Sequence, residues 1–370
     1  MKIDVRALKK YGKLVQKFVD TGHPQFSNLC LNFAEQRVYF GSQRGFGAVN
    51  MIVEDPVSGA KPYYVNALNF IAVAEEFPVL DVAEVFGEDK KFKGYAFRCG
   101  ESNSFQIAHV ESDDFEYPDF NADFNDAVAI NKNYIPAIRR AGSFTDPEGA
   151  KAIDGVFIKG GHVYGLDKLR MYEEIVPDAS ADNFNLPRNV WEILVMETLD
   201  EPVLKIDESR IWVKATDIEI QFAVFPDLNL PPNVNTDKFR AQYEHETKIR
   251  IGRDMFMSVI QFFLPFVSDV VSSRLQFIFN SDNLEIKTED GNIISRRIPY
   301  VDAVDPGYFK GDRVWVSAVW MKNILTALPS VKDQSLSVQI AVDFKKPTMD
   351  FCIVNNPSVH IVYSRLKDGA

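Results

Sequence analysis

The chain has 370 residues, of which 46% are apolar and 25% charged, with 41 Lys and Arg against 52 Asp and Glu. These are globular proportions for two or three domains. The net charge of −11 excludes a uniformly basic coat but leaves room for a local basic face.

In chain order, one grammar recurs three times: a helix, a strand hairpin, a second helix, then further strands. In the first segment the apolar spacing predicts a helix over Arg6 to Val19 and strands over Phe26 to Phe33 and Arg37 to Gly41. A second helix follows over Val65 to Phe77, then alternating strands over Gly94 to Cys99 and Ser104 to Val110. The second segment has a helix over Asn133 to Gly142 and a hairpin of Gly155 to Lys159 with His162 to Leu166. Its second helix runs over Pro187 to Leu199, with proline in the first turn. Strands over Val203 to Ile206, Arg210 to Lys214 and Glu219 to Val224 complete it. The third has helices over Asp254 to Phe266 and Ala318 to Leu328, with strands over Leu275 to Phe279, Leu284 to Lys287, Ser335 to Val342, Thr348 to Val354 and Val359 to Tyr363. The second helices repeat one apolar spacing: Leu68-Ile71-Ala72, Trp191-Leu194-Val195 and Met321-Ile324-Leu325. Linkers at 111–126, with seven acids and no base, and at 226–246, rich in Pro and Asn, separate the segments. The predicted architecture is α+β: three units, 1–120, 121–245 and 246–370, each with two helices on antiparallel sheets.

Charge is distributed by the same repeat. The first helix carries Arg6, Lys9, Lys10, Lys13 and Lys17 and no acid. At about 100° per residue these fall within an arc of roughly 100°, opposite Leu8, Tyr11, Leu14 and Val15. The equivalent second-unit helix has Lys132, Arg139 and Arg140, and the third has Arg253 near its start. Repeated basic helices on an acidic body suit a surface facing phosphates, and unpatterned Lys contacts neutralise a backbone without reading bases. Sequence-independent binding of duplex DNA is the expectation.

No catalytic constellation accompanies it. Cys30, Cys99 and Cys352 are widely spaced and read as strand-core thiols. The five histidines lack metal-ligand spacing, and no Gly-x-Ser-x-Gly elbow, His-Glu-x-x-His or Walker loop occurs. No enzyme, cofactor or metal is expected. Met1 to Arg6 lacks the apolar core of a secretory signal and no run of about 18 apolar residues exists, so a cytoplasmic protein without membrane contact is expected.

Several strings, in order along nearly the whole chain, resemble the bacterial-type β sliding clamp, the processivity factor of replicative DNA polymerases. Ser104-Phe105-Gln106-Ile107 followed by Ser112 to Pro118 resembles the end of that family's first domain. Ile153-Asp154-Gly155-Val156-Phe157 resembles a second-domain strand, and Leu166-Asp167-Lys168-Leu169-Arg170-Met171 the Thr-Asp-Gly-x-Arg-Leu motif. Phe225-Pro226-Asp227 is similar to Phe-Pro-Asp-Tyr, and Val362-Tyr363-Ser364-Arg365-Leu366 to the terminal Met-Pro-Met-Arg-Leu. Leu166, Lys168 and Tyr363 depart from the motifs, and His23 stands where the family's Gly-Arg-Pro loop has a DNA-facing arginine. Such divergence suits a phage-encoded member.

The resemblance implies a DNA-clamp fold repeated three times, closed into a ring as a head-to-tail homodimer around duplex DNA. It implies a non-enzymatic tether for a DNA polymerase, opened by a clamp loader, both bound through short peptides. The peptide pocket would comprise Ile153, Leu166, Leu169, Arg170, Met171, Pro226, Leu230, Val362, Tyr363, Ser364 and Arg365. Without the resemblance, the residues read as a repeat-built scaffold whose basic helices bind an acidic protein.

Overall fold

The computed structural model describes residues 1–370 except 25, 44, 56–61, 101–102, 107–116, 119, 121, 131–132, 146–154, 168, 177–183, 208–209, 224–246, 268–273, 289–293, 304–308, 329–335, 343, 345–347, 354–355 and 365–370. Among the described residues there are six α-helices: α1 (Arg6–Gln16), α2 (Ala67–Glu76), α3 (Tyr134–Gly142), α4 (Arg188–Leu194), α5 (Arg253–Phe263) and α6 (Ala318–Ala327). They fall as one pair in each predicted segment. All the sheets are antiparallel, and the architecture is α+β as expected.

Local chemistry sets these spans. Leu8, Tyr11, Leu14 and Val15 give α1 a buried face, and each such side chain stabilises by about 1.5–3 kcal/mol when fully buried. Asn66 caps α2 by accepting from the Asn69 N–H at 3.1 Å, and Ser317 caps α6 by accepting from Trp320 at 3.4 Å. Pro265 cannot extend α5, which ends at Phe263 and tightens into a 3-10 turn over Leu264–Phe266. The second segment's second helix is shorter than its apolar spacing predicts, stopping at Leu194. In α2 the predicted stripe is out of phase: Leu68 is 43% exposed while Ala67, Phe70, Ile71 and Ala74 are buried. Gly12 and Gly142 stand where a helix is closely approached by its pair. A Cβ on Gly12 would lie 3.2 Å from Ile71, and one on Gly142 would lie 2.6 Å from the Trp191 ring.

The chain forms two compact units, 1–132 with 192–226, and 133–191 with 227–370. The first holds a five-stranded sheet in the order Ile52–Glu54, Lys2–Asp4, Val79–Phe86, Phe92–Cys99, Asn103–Gln106. It also holds an eight-stranded sheet that crosses the predicted segment boundary. There Gly45–Asn50, from the first segment, pairs with Ile218–Ala223, from the second, with Gly47 opposite Ile220. The second unit repeats this plan. Its nine-stranded sheet joins Arg170–Ile175 to Asn356–Ser364, with Tyr172 opposite Ile361, and its four-stranded sheet runs Ser295–Pro299, Asn283–Thr288, Arg274–Phe279, Asp312–Ser317.

Each joined sheet follows one rule. The third strand of one segment's hairpin group meets the last strand of the next segment. Ser295–Pro299 and Asn103–Gln106 hold the two corresponding positions that remain, and both are edge strands. Cys30, Cys99 and Cys352 are buried free thiols in strands, as expected. Among the described residues no helix is long and apolar enough to cross a membrane.

Candidate nucleic-acid interface and partner pocket

The exposed face of α1 and its C-cap residue Lys17 carry five cations in different states. The Arg6 guanidinium forks onto Asp4, with Nε at 2.8 Å from Oδ2, and this hydrogen bond holds the Asp4 carboxyl below its usual range. Lys10 Nζ lies 2.6 Å from Asp200 Oδ2, which raises the ammonium's pKa. Lys9, Lys13 and Lys17 are exposed and form no ion pair among the described residues. Spaced four residues apart, they make a row about 12 Å long at about 1.5 Å rise per residue. The helix C-terminus beside Lys13 adds a favourable dipole.

On α3 the arginines behave differently. Arg139 is exposed. Arg140 departs from the expectation of a phosphate-facing cation, because it is latched to the sheet beneath. Its Nε donates to Tyr172 Oη and Glu174 Oε2, each at 3.0 Å, and its Nη2 to Glu174 Oε1 at 2.6 Å. The Tyr172 hydroxyl donates to the same carboxylate. Burial opposes the charge of Arg140, but the hydrogen bonds to Glu174 and Tyr172 outweigh it and raise its pKa. Arg253 also departs: its side chain is 15% exposed and Nη2 donates to the Leu325 carbonyl at 2.9 Å, tying α5 to the last turn of α6. His23 is half-buried with its ring stacked on Phe26 at 4.4 Å. Lys132 lies outside the described residues.

The register brings part of the predicted pocket together. Leu166 faces Met171, Met171 faces Val362 and Arg170 faces Tyr363 across the nine-stranded sheet. Asp167 shapes the turn, its Oδ1 accepting from the backbone N–H groups of Leu169 at 2.7 Å and Arg170 at 2.6 Å. Most of the described residues expected in the peptide pocket are covered by their neighbours. Leu166, Met171 and Tyr363 are buried, and Arg170 is only 8% exposed; Leu169, at 38%, is the exposed member among the described residues. Packing explains this. Arg170 is ion-paired to Asp167 at 2.6 Å and sandwiched between the rings of Phe144 at 5.2 Å and Trp320 at 5.3 Å. Its Nη1 is buried with no hydrogen-bond partner among the described residues. The Tyr363 hydroxyl accepts from the Ser317 N–H at 3.1 Å, and burial pushes its pKa up. The sequence motifs do not point to Phe144 or Trp320. Trp320 sits one residue before the Met321 stripe of α6, so its turn away from that stripe is the available signal. Ile153, Pro226, Leu230 and Arg365, and the side chains of Val362 and Ser364, lie outside the described residues. Among the described residues no group of His, Cys, Asp or Glu could hold a metal.

This strand order, with one helix pair per segment, is the fold of bacterial DNA polymerase III β sliding clamps. The C. crescentus β sliding clamp superposes with a TM-score of 0.76 at 14% identity over 99% of both chains. The DNA polymerase III β chain of Streptococcus pneumoniae gives 0.79 at 9% identity, again over 99% of each. The Helicobacter pylori β clamp, solved bound to a DNA ligase peptide, gives 0.73 at 12% over 99% of this chain and 100% of that one. No family model and no curated protein matches the sequence.

Proposed function

We propose that this protein is a DNA sliding clamp: two copies close head to tail around duplex DNA and tether a DNA polymerase without catalysing a reaction. The observation that carries the reading is the strand pattern of a full-length β-clamp fold. Two of three junctions between repeats are completed within the chain, and the edge strands Ser295–Pro299 and Asn103–Gln106 are the equivalents of the pairs that complete them. Antiparallel pairing of one copy's Ser295–Pro299 with the other's Asn103–Gln106 supplies the third junction twice. A heterologous contact of this kind forms a closed ring when the rotation fits. The three predicted domains, 1–120, 121–245 and 246–370, are then six in the ring.

Lys9, Lys13 and Lys17 are the first candidates for the DNA-facing surface, and Lys10, Arg6, Arg139, Lys132 and His23 are the further ones. Ammonium groups on a rigid helix contact phosphates without reading sequence, which is what movement along DNA requires. The junction around Leu169, Arg170, Met171 and Tyr363 is the candidate peptide site for polymerase and loader. There the Arg170 Nη1, without a hydrogen-bond partner among the described residues, suits a peptide carbonyl or a terminal carboxylate. The test is molar mass in solution. A value twice the chain's 42.0 kDa supports the ring, and a monomer at micromolar concentration removes it.

A further inference from the structure

The four-stranded sheet of the second unit packs on α5 through one face. Leu275, Phe277, Leu284, Ile286, Ile298 and Val314 are buried there, and Phe277 meets Phe256 of α5 at 5.9 Å. Successive side chains of a strand point to opposite faces, so the residues between these share the far face. Across that face the register sets Arg313 opposite Ile278, Ile278 opposite Glu285 and Glu285 opposite Arg297. The neighbouring row is Trp315, Gln276, Lys287 and Ser295, and Arg274 lies two residues before Gln276.

These rows put Arg274, Lys287, Arg297 and Arg313 on one surface with Glu285 as the carboxylate among them, in a chain of net charge −11. Glu285 is buried and shared, 3.1 Å from Lys287 and 3.7 Å from Arg297. Arg274 and Arg313 form no ion pair among the described residues. Arg313 is exposed, and the Arg297 side chain is 69% exposed. Trp315 is half-buried on the same face. The cations are widely set. Arg313 and Arg297 stand three strands apart, about 14 Å, and Arg274 lies four residues along its strand from the Arg313 row, about 13 Å. No single small anion spans that distance, whereas a polymer with a charge on every unit does.

We propose that this sheet face binds single-stranded nucleic acid. Guanidinium groups match the geometry of phosphate oxygens and hold them in pairs of hydrogen bonds. The Trp315 ring, set between the cation rows, offers a base a surface to stack on. A single strand has bases free to use it, and a duplex keeps its bases stacked on one another. Charge and ring together therefore favour a single strand over a duplex, and over an acidic peptide, which uses the charge alone. The α1 lysines belong to the other unit, so the two surfaces separate by mutation. The proposal goes beyond the encircling of duplex DNA and does not need the ring.

The experiment uses the full chain and fluorescein-labelled oligothymidylate, which forms no duplex, read by anisotropy at low salt. Saturable binding is expected. Arg297→Gln with Arg313→Gln should weaken it about tenfold or more and flatten its log-log salt dependence by about 0.7 for each phosphate no longer contacted. Trp315→Leu should weaken it about fivefold or more, and Trp315→Phe, which keeps a ring, should retain most of it. Changing Lys9, Lys13 and Lys17 to Glu should leave it in place. If Trp315→Leu fails to fold, the arginine pair decides alone. Binding by a chain that weighs as a monomer would support this surface while removing the ring. Four results overturn the proposal: no saturable binding, unchanged binding in the arginine pair, loss only in the α1 variant, or equal displacement by polyglutamate or duplex DNA at matched charge.

Discussion

Helices α1 and α3 open equivalent repeats and carry the same acid-poor, basic pattern, yet their cations do different things. On α1 the sheet below offers apolar contacts, and Lys9, Lys13 and Lys17 remain in solvent. On α3 a Tyr172–Glu174 pair lies within reach, and the planar, multi-donor guanidinium of Arg140 is drawn down onto it. A lysine on a flexible stem keeps its charge in water, whereas an arginine over a buried carboxylate becomes part of the structure. The same holds for Arg170, and Arg253 is held in the same way by the Leu325 carbonyl. The second unit uses these three arginines to hold elements together, and the first presents lysines outward. Removing latched cations should therefore cost stability, and removing presented ones should cost binding.

The largest effect is expected at Arg170. Arg170→Met leaves the Asp167 carboxylate without its partner at a mostly buried turn and should destabilise by about 3–5 kcal/mol, the usual consequence of breaking a buried pair. Urea denaturation measures it, and a loss under about 1 kcal/mol would mean the sandwich between Phe144 and Trp320 holds nothing. Arg140→Met should cost about 1.5–3 kcal/mol, the value of hydrogen bonds to a charged group. Because the interaction is shared, combining it with Glu174→Gln should cost less than the two single changes together. Additive losses would show that Arg140 and Glu174 act separately.

The opposite signature is expected on α1. Changing Lys9, Lys13 and Lys17 together to Glu should alter stability by no more than about 0.5 kcal/mol per site. It should also flatten the log-log salt dependence of duplex binding by about 0.9 for each phosphate that is no longer neutralised. An unchanged salt slope would move the DNA-facing surface elsewhere. The smallest effect concerns Asp4. Its carboxyl is held below the ordinary 3.8 by Arg6, so its stabilisation is present above that value and is lost as pH falls through the lowered folded-state pKa. Asp4→Asn should remove this acid-side slope, and an identical acid titration in both proteins would contradict the assignment.

How much of this the sequence disclosed follows from the range of each interaction. The helix pairs and hairpins were legible because their spacing is local, as at Leu8, Tyr11, Leu14 and Val15. The face of α2 was not legible because Ala67, Leu68, Phe70, Ile71, Ala72, Val73 and Ala74 surround the helix with apolar groups, leaving no phase to read. The sheets that join repeats were invisible, since Gly47 meets Ile220 across far more chain than periodicity spans. Arg140 looked like a phosphate contact because its partner Glu174 is 34 residues away. The strings around Leu166 to Met171 fall where the register sets Met171 opposite Val362, but which side chains face outward depends on Phe144 and Trp320, which arrive from other elements.

The central claim is topological, and retention on DNA tests it most directly. Protein loaded onto nicked circular DNA should remain bound through a high-salt wash and should leave once a restriction enzyme linearises the circle. Equal retention on circular and linear DNA, or loss from both in the same salt, would contradict a ring that encircles the duplex.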